Sequence, residues 1–267
     1  AEKADIIFSG AGLPLNLPSF LTEGAKTKLA PIVSSARAAK LLCQKWFAEY
    51  KYIPDAIVVE GPKAGGHLGY KEEQLVDEHY ALESIVPEIV AEVHAFEAEH
   101  GCHIPVIAGG GIYTGEDIYR IMSLGAEGVQ MGTRFLATEE SDFCELWKKM
   151  VVDCADGGTI IARGFVGPAR WLRSDVSLQH AYNTAKEAPG SYVGVPDDFS
   201  SIPMELLTFE RYGIAATYKG DVEHAMAGAG ECAQRITDLP KTKDMVEKVM
   251  GDAEAIIRGL AAKYVAD

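Results

Sequence analysis

The sequence predicts an α/β protein built on a parallel sheet, and three observations carry that expectation. Short β-branched runs recur along the first half of the chain. They are continuously apolar rather than alternating, as expected of strands covered on both faces. Amphipathic helical patterns lie between them, and such strand–helix alternation gives right-handed crossovers. The 267 residues, 48% hydrophobic and 24% charged, suffice for one large domain or two small ones.

The first run, Asp5–Phe8, ends in Ser9-Gly10-Ala11-Gly12, and the second, Pro31–Val33, ends in Ser34-Ser35. Ala56–Val59 runs into Glu60-Gly61, Ile104–Ala108 into Gly109-Gly110-Gly111, and Gly128–Met131 into Gly132-Thr133. Over 36–50, Ala39, Leu42, Cys43, Trp46, Phe47 and Tyr50 recur three and four apart, which predicts a helix. Ile85, Ile89, Val90, Val93 and Phe96 do the same over 82–99. A shorter helix over 115–124 takes Thr114 as its N-cap, has Asp117 in its first turn and stops at Gly125. After Thr133 the alternation ends. A helix is expected over 139–154, an irregular excursion rich in Gly, Pro, Ser and Asp over 155–203, and helices over 220–235 and 241–263. The last carries Met245, Val246, Val249, Met250, Ala253, Ile256, Ile257 and Leu260 on one stripe.

Five β/α units are visible, whereas a closed barrel needs eight and about 250 residues. The alternatives are an open five-stranded sheet or a barrel lacking its first three units. The absence of an initiator Met and a strand that starts at once favour a missing N-terminal portion. The expected division is 1–138 for the β/α units and 139–267 for a helical and irregular extension packing on them.

With 25 basic and 39 acidic residues the net charge is −14. Such a surface repels phosphate backbones and anionic lipid, so the expected partner is a small-molecule substrate, not nucleic acid or a membrane. No apolar run reaches the roughly 18 residues of a membrane span, and the first residues carry charges, unlike a signal peptide. Five cysteines without a CxxC pair point to free thiols in a reducing, cytoplasmic compartment, with Cys43 as a buried small hydrophobe. No metal-binding spacing occurs, so no metal is expected. A homodimer is left open.

Two features carry chemistry. Ala108-Gly109-Gly110-Gly111-Ile112 and Gln130-Met131-Gly132-Thr133-Arg134 are consecutive strand ends. Glycines let a phosphate approach the backbone, and in barrels such a site is built from the loops after the last two strands. Tight turns and close packing would use the same glycines. The second feature is Glu60-Gly61-Pro62-Lys63-Ala64-Gly65-Gly66-His67-Leu68-Gly69, which places a histidine in a Gly-rich loop directly after a buried strand. Loops at strand C-termini carry function in parallel folds, and histidine moves protons near neutral pH.

Ala64-Gly65-Gly66-His67-x-Gly69, Pro105–Ile112 and Gly125–Phe135, in this order, resemble the nitronate monooxygenase (2-nitropropane dioxygenase-like) family. The superfamily includes the flavin-dependent enoyl-ACP reductases. The resemblance implies an FMN-binding (β/α)8 TIM barrel of which this chain holds strands four to eight, Ser9–Gly12 closing the fourth. It implies that Gly110, Gly111, Gln130, Met131, Gly132 and Thr133 hold the flavin phosphate. Glu60, Gly65 and Gly66 would line the flavin, and His67 would be the catalytic histidine. Glu60 stands where the family often has Gln, and Lys63 where it often has Glu. Lys63 could suit an anionic substrate or be an exposed stem. Arg163–Arg173, with three arginines, Phe165 and Trp171, would cover the barrel mouth and contact substrate. The expected function is an FMN-dependent oxidoreductase that oxidises a small nitronate-like or carbanion-forming substrate with O2. The alternatives are an NAD(P)H-dependent enoyl-thioester reductase and a non-catalytic barrel fragment or subunit.

Overall fold

The structure, a computed structural model, describes residues 4–10, 12–164, 167–187 and 203–265. The chain runs through β1 (Ile6–Ser9), β2 (Lys28–Val33), α1 (Ala36–Tyr50), β3 (Ile57–Glu60), β4 (Gly66–His67), α2 (Leu82–His100), β5 (Val106–Gly109), α3 (Gly115–Met122) and β6 (Gly128–Gln130). The strands β1-β2-β3-β5-β6 form one parallel sheet, in sequence order except for the two-residue β4. No ladder joins β6 back to β1 among the described residues, so the sheet has two edges.

Side chains on the central strands alternate between two environments. Leu29, Val33, Ile57, Val59, Val106 and Ala108 face outward and pack with Leu42, Trp46, Ile85, Ile89 and Val93 of α1 and α2 in the main core. Ala30, Val58, Ile32 and Ile107 form a smaller cluster on the other face. Both faces are therefore covered, which is why these strands read as continuous apolar runs. β1 departs from that expectation: Ile6, Ile7 and Phe8 are all exposed, because an edge strand has a neighbour on one side only.

Local signals explain the helix ends. The Ser35 hydroxyl accepts from the Ala38 N–H at 3.3 Å and caps α1. Thr114 caps α3, as the sequence predicts, and Asp117 returns the bond to complete a capping box. α3 also meets the long C-terminal α8 (Thr242–Tyr264), on which Met245, Val249 and Ala253 are the buried part of the predicted stripe. Val246, Met250 and Ile257 on that stripe are exposed.

The second half corrects three expectations. The helix expected over 139–154 is shorter, α5 (Glu145–Val152), and a separate one-turn helix, α4 (Thr133–Leu136), precedes it. The irregular excursion contains an antiparallel hairpin, β7 (Thr159–Gly164) with β8 (Gly167–Leu172), followed by α6 (Asp175–Glu187). Residues 188–202 lie outside the described residues. Every residue of β8 is buried, Arg170 included, so no apolar–polar alternation marks the strand. The helix expected over 220–235 lies earlier instead, as α7 (Met204–Tyr218), with a single short turn at Glu231–Arg235. Gly220, Gly228 and Gly230 break the later segment, and Ala225, Met226 and Ala227 are apolar there because the segment is buried.

Candidate active site

Parallel register places Glu60 beside Gly109, and Gly109 beside Gln130, at the C-terminal edge of the sheet. Ligand sites of parallel α/β folds lie at that edge. A cavity of about 420 Å3 opens there, within the range of small-molecule and cofactor sites. Its walls include Glu60 from β3, Gly110 and Gly111 after β5, and Gln130, Met131, Gly132 and Thr133 after β6. Gly65, Gly66 and His67 close it from above the sheet. The structure thus brings His67 and the nine residues expected to bind the cofactor to one cavity. Trp171, expected at the mouth, lines the cavity, and Phe143, Trp147 and Ile214 complete an apolar wall that no short motif announces. The Trp147 indole N–H is held by the Gly228 carbonyl at 3.0 Å.

The loop that carries His67 is held by three successive carbonyls. The Arg170 guanidinium donates to Pro62 O at 3.0 Å and to Ala64 O at 3.2 Å, and the Glu231 N–H donates to Lys63 O at 3.0 Å. The Lys63 ammonium, an exposed stem, pairs with the Glu231 carboxylate at 3.1 Å. β4 pairs antiparallel with β8, His67 opposite Ala169, and the Leu68 N–H reaches Pro168 O at 2.8 Å. Gly65 passes so close to the chain at 229–230 that a Cβ would stand 2.4 Å from Ala229 C and Gly230 N. Only glycine fits there.

Electrostatics follow from enclosure. Burial pushes the Glu60 carboxyl above its ordinary range, opposed by the Gly69 N–H on Oε2 at 3.1 Å. Burial pulls His67 below the usual histidine value, opposed by the Glu210 carboxylate. A histidine held neutral near pH 7 can accept a proton. Burial raises the Cys232 thiol to about 11 and Cys43 to about 12, so both stay protonated. Cys43 is indeed a small core residue.

Of the arginines expected over the mouth, Arg170 is buried and fully engaged, with Thr159 and Glu231 as further partners. Arg173 is exposed beside a separate depression lined by Cys154, Gly157 and Gly158. Phe165, Val166 and the side chain of Arg163 lie outside the described residues, as does Ala11. Two residues the sequence analysis passed over reach the site: Glu210 of α7 stands 3.6 Å from His67 Nε2, and His180 of α6 stands 3.5 Å from the same carboxylate. Nothing in local spacing could have joined positions 67, 180 and 210.

The rim can take an anionic group. A Cβ at Gly132 would meet nothing within 4 Å, so its backbone borders open space on the cavity. Backbone at such glycines can approach a phosphate closely. Among the described residues no cluster could hold a metal ion, and no helix is long and apolar enough to cross a membrane.

Residues 1–252 match the family model described as nitronate monooxygenase. A probable nitronate monooxygenase of Staphylococcus aureus (strain Newman) is 39% identical over 114 residues, 42% of this chain and 30% of the relative. The chain therefore matches less than a third of the length of that curated relative. FabK from Thermotoga maritima superimposes with a TM-score of 0.74 at 25% identity, covering 97% of this chain and 70% of that one. Nitroalkane oxidase from Streptomyces ansochromogenes gives a TM-score of 0.69 at 24% identity, over 96% and 65% of the respective chains, a likeness of fold.

Proposed function

Because the chain belongs to the nitronate monooxygenase family, we propose that it is an FMN-dependent oxidoreductase acting on a small nitronate or carbanion-forming substrate with O2. The observation that carries this reading is the convergence of three motifs, spread over residues 64–135, on one cavity with a neutral-leaning histidine at its wall. Gly110, Gly111, Gly132 and Thr133 would hold the phosphate, and Glu60, Gly65 and Gly66 would border the ring system. FMN, when bound, supplies the electron acceptor.

The chain's own residues do the rest. His67 takes a proton from the carbon beside an electron-withdrawing group. The Arg170 and Glu231 clamps keep its loop in place. The wall of Phe143, Trp147 and Ile214 excludes water and accepts an alkyl substituent.

His67→Asn is the test. The variant should keep FMN, seen as a visible spectrum released on denaturation. It should lose about 100-fold or more of its turnover of a neutral nitroalkane, and keep turnover of the preformed nitronate, which needs no deprotonation. Unchanged nitroalkane turnover overturns the role of His67. A chain that neither carries nor takes up FMN overturns the oxidoreductase reading.

The apolar wall also supports a second reading, NAD(P)H-dependent reduction of an enoyl thioester, since an acyl chain would fit against it. The engagement of Arg170 with loop carbonyls weighs against it, because that guanidinium is not offered to a carrier phosphate. Anaerobic flavin reduction by NADH or NADPH, followed by reoxidation with a crotonyl thioester, separates the two.

A further inference from the structure

Glu210 is an enclosed carboxylate between two imidazoles. Its side chain is 7% exposed, and its two oxygens address different rings: Oε1 lies 3.6 Å from His67 Nε2, and Oε2 lies 3.5 Å from His180 Nε2. His180 is buried on α6, its ring stacked on Phe209 at 5.7 Å and meeting the edge of Trp171 at 6.2 Å. Trp171 stands on β8, the strand that also pairs with His67. The carboxylate is therefore fixed on its inner side by a packed histidine and turned on its outer side toward the cavity histidine.

An enclosed carboxylate is costly unless a positive group pairs with it. Among the described residues no lysine or arginine stands within ion-pair distance of Glu210, and the basic groups within that distance are the two imidazoles. Two further charged groups near the His67 loop have partners of their own. Arg170, next to Ala169 on β8, is turned to Pro62 O and Ala64 O, and Glu60 is turned to the Gly69 N–H.

We propose that Glu210 is the positioning residue of His67: it orients the imidazole through Nε2 and balances the charge formed when His67 takes a proton, while His180 anchors the carboxylate from the buried side. This rests on the reading of His67 as the base. In that step a C–H bond of the substrate breaks and its electron pair stays on carbon. The proton becomes an N–H of His67, and Glu210 remains a carboxylate throughout. Distances of 3.5–3.6 Å suit a pair that tightens when the imidazole gains its charge.

The test is an NMR titration of the full chain with labelled histidine, the His67 signal being assigned by its loss in His67→Asn. In Glu210→Gln the His67 midpoint should fall by about one unit, and the acidic limb of the kcat/KM profile for a neutral nitroalkane should move down with it. Glu210→Asp, which keeps the charge, should recover part of both shifts. A purely structural role for Glu210 would lower activity without moving the midpoint. If Glu210→Gln does not fold, the reciprocal measurement decides. Coupling is mutual, so the Glu210 carboxyl signal should titrate at higher pH in His67→Asn than in the parent. An unmoved His67 midpoint in a folded Glu210→Gln, or an unmoved Glu210 midpoint in His67→Asn, overturns the proposal. Moved midpoints with nitroalkane turnover intact in His67→Asn would leave the pairing standing and remove only the base role.

Discussion

A guanidinium enclosed by protein keeps its charge only where acceptors surround it, and around Arg170 those acceptors are the backbone of the loop that carries His67. Burial pulls its pKa down while Glu231 opposes. Arg170→Met would leave Pro62 O and Ala64 O without a donor and cost about 2–4 kcal/mol, read as a lower urea midpoint, with FMN uptake weakened in parallel. Arg170→Lys should recover only part, because a single ammonium cannot span two carbonyls as the planar fork does. The two glycines of the loop make a contrast. Gly65→Ala forces a methyl onto the Ala229–Gly230 backbone and should lower Tm and abolish FMN uptake. Gly66 has φ +71° but open space around a Cβ, so Gly66→Ala should cost only about 1 kcal/mol of backbone strain.

At the scale of elements, helix ends offer the clearest experiments. α1 ends at Lys51, the one described non-glycine residue with positive φ, at 54°. Glycine is the usual occupant of that position, so Lys51→Gly should stabilise the protein by about 1 kcal/mol, seen as a Tm rise of about 2–4 °C. His103, between α2 and β5, bonds Glu127 at 3.1 Å and Glu97 at 2.9 Å. The hydrogen bond that Glu127 accepts is the main cause of its raised pKa. That stabilisation is complete below the ordinary histidine value of about 6.5 and is lost as pH rises through the raised folded value. His103→Gln should therefore lower the urea midpoint near pH 5 and leave it unchanged near pH 9.

The elements differ in how visibly the sequence announces them. α1 and α2 are legible because each repeats a period long enough to count, and β2, β3 and β5 because each is a short continuous apolar run ending in small or polar residues. The β7–β8 hairpin is not, because a wholly buried strand containing Pro168 and Arg170 shows neither alternation nor a run of apolar residues. Site positions in contiguous motifs were legible for the same reason that short-range patterns are. His180 and Glu210 are single residues on two helices, and only tertiary packing brings them to His67.

For the molecule as a whole, the cavity joins strand ends of the parallel sheet to the closing segment 228–232. A ligand that fills it bridges both and must stabilise the folded chain by mass action. FMN at 100 times its dissociation constant should add about 2.7 kcal/mol, measured as a concentration-dependent rise in Tm that riboflavin, lacking the phosphate, reproduces only weakly. The acidic surface, with a net charge of −14, opposes free anions at long range. FMN uptake should therefore speed up with added salt, a trend opposite to that of a basic binding surface.

The grip of Arg170 on Pro62 O and Ala64 O spans 108 and 106 residues of chain. Such a link forms only after the loops between have closed, and long-range pairings are the slow steps of folding. The β2–β3–β5 sheet and α1 and α2 depend on neighbours much nearer in sequence. The loop that carries His67 is thus timed to a strand synthesised 106 to 108 residues later: on a ribosome, His67 would leave the exit tunnel long before the strand that secures it. In refolding, far-UV ellipticity should return before the chain can quench added flavin, and the interval between the two signals would be the lifetime of a sheet without its site.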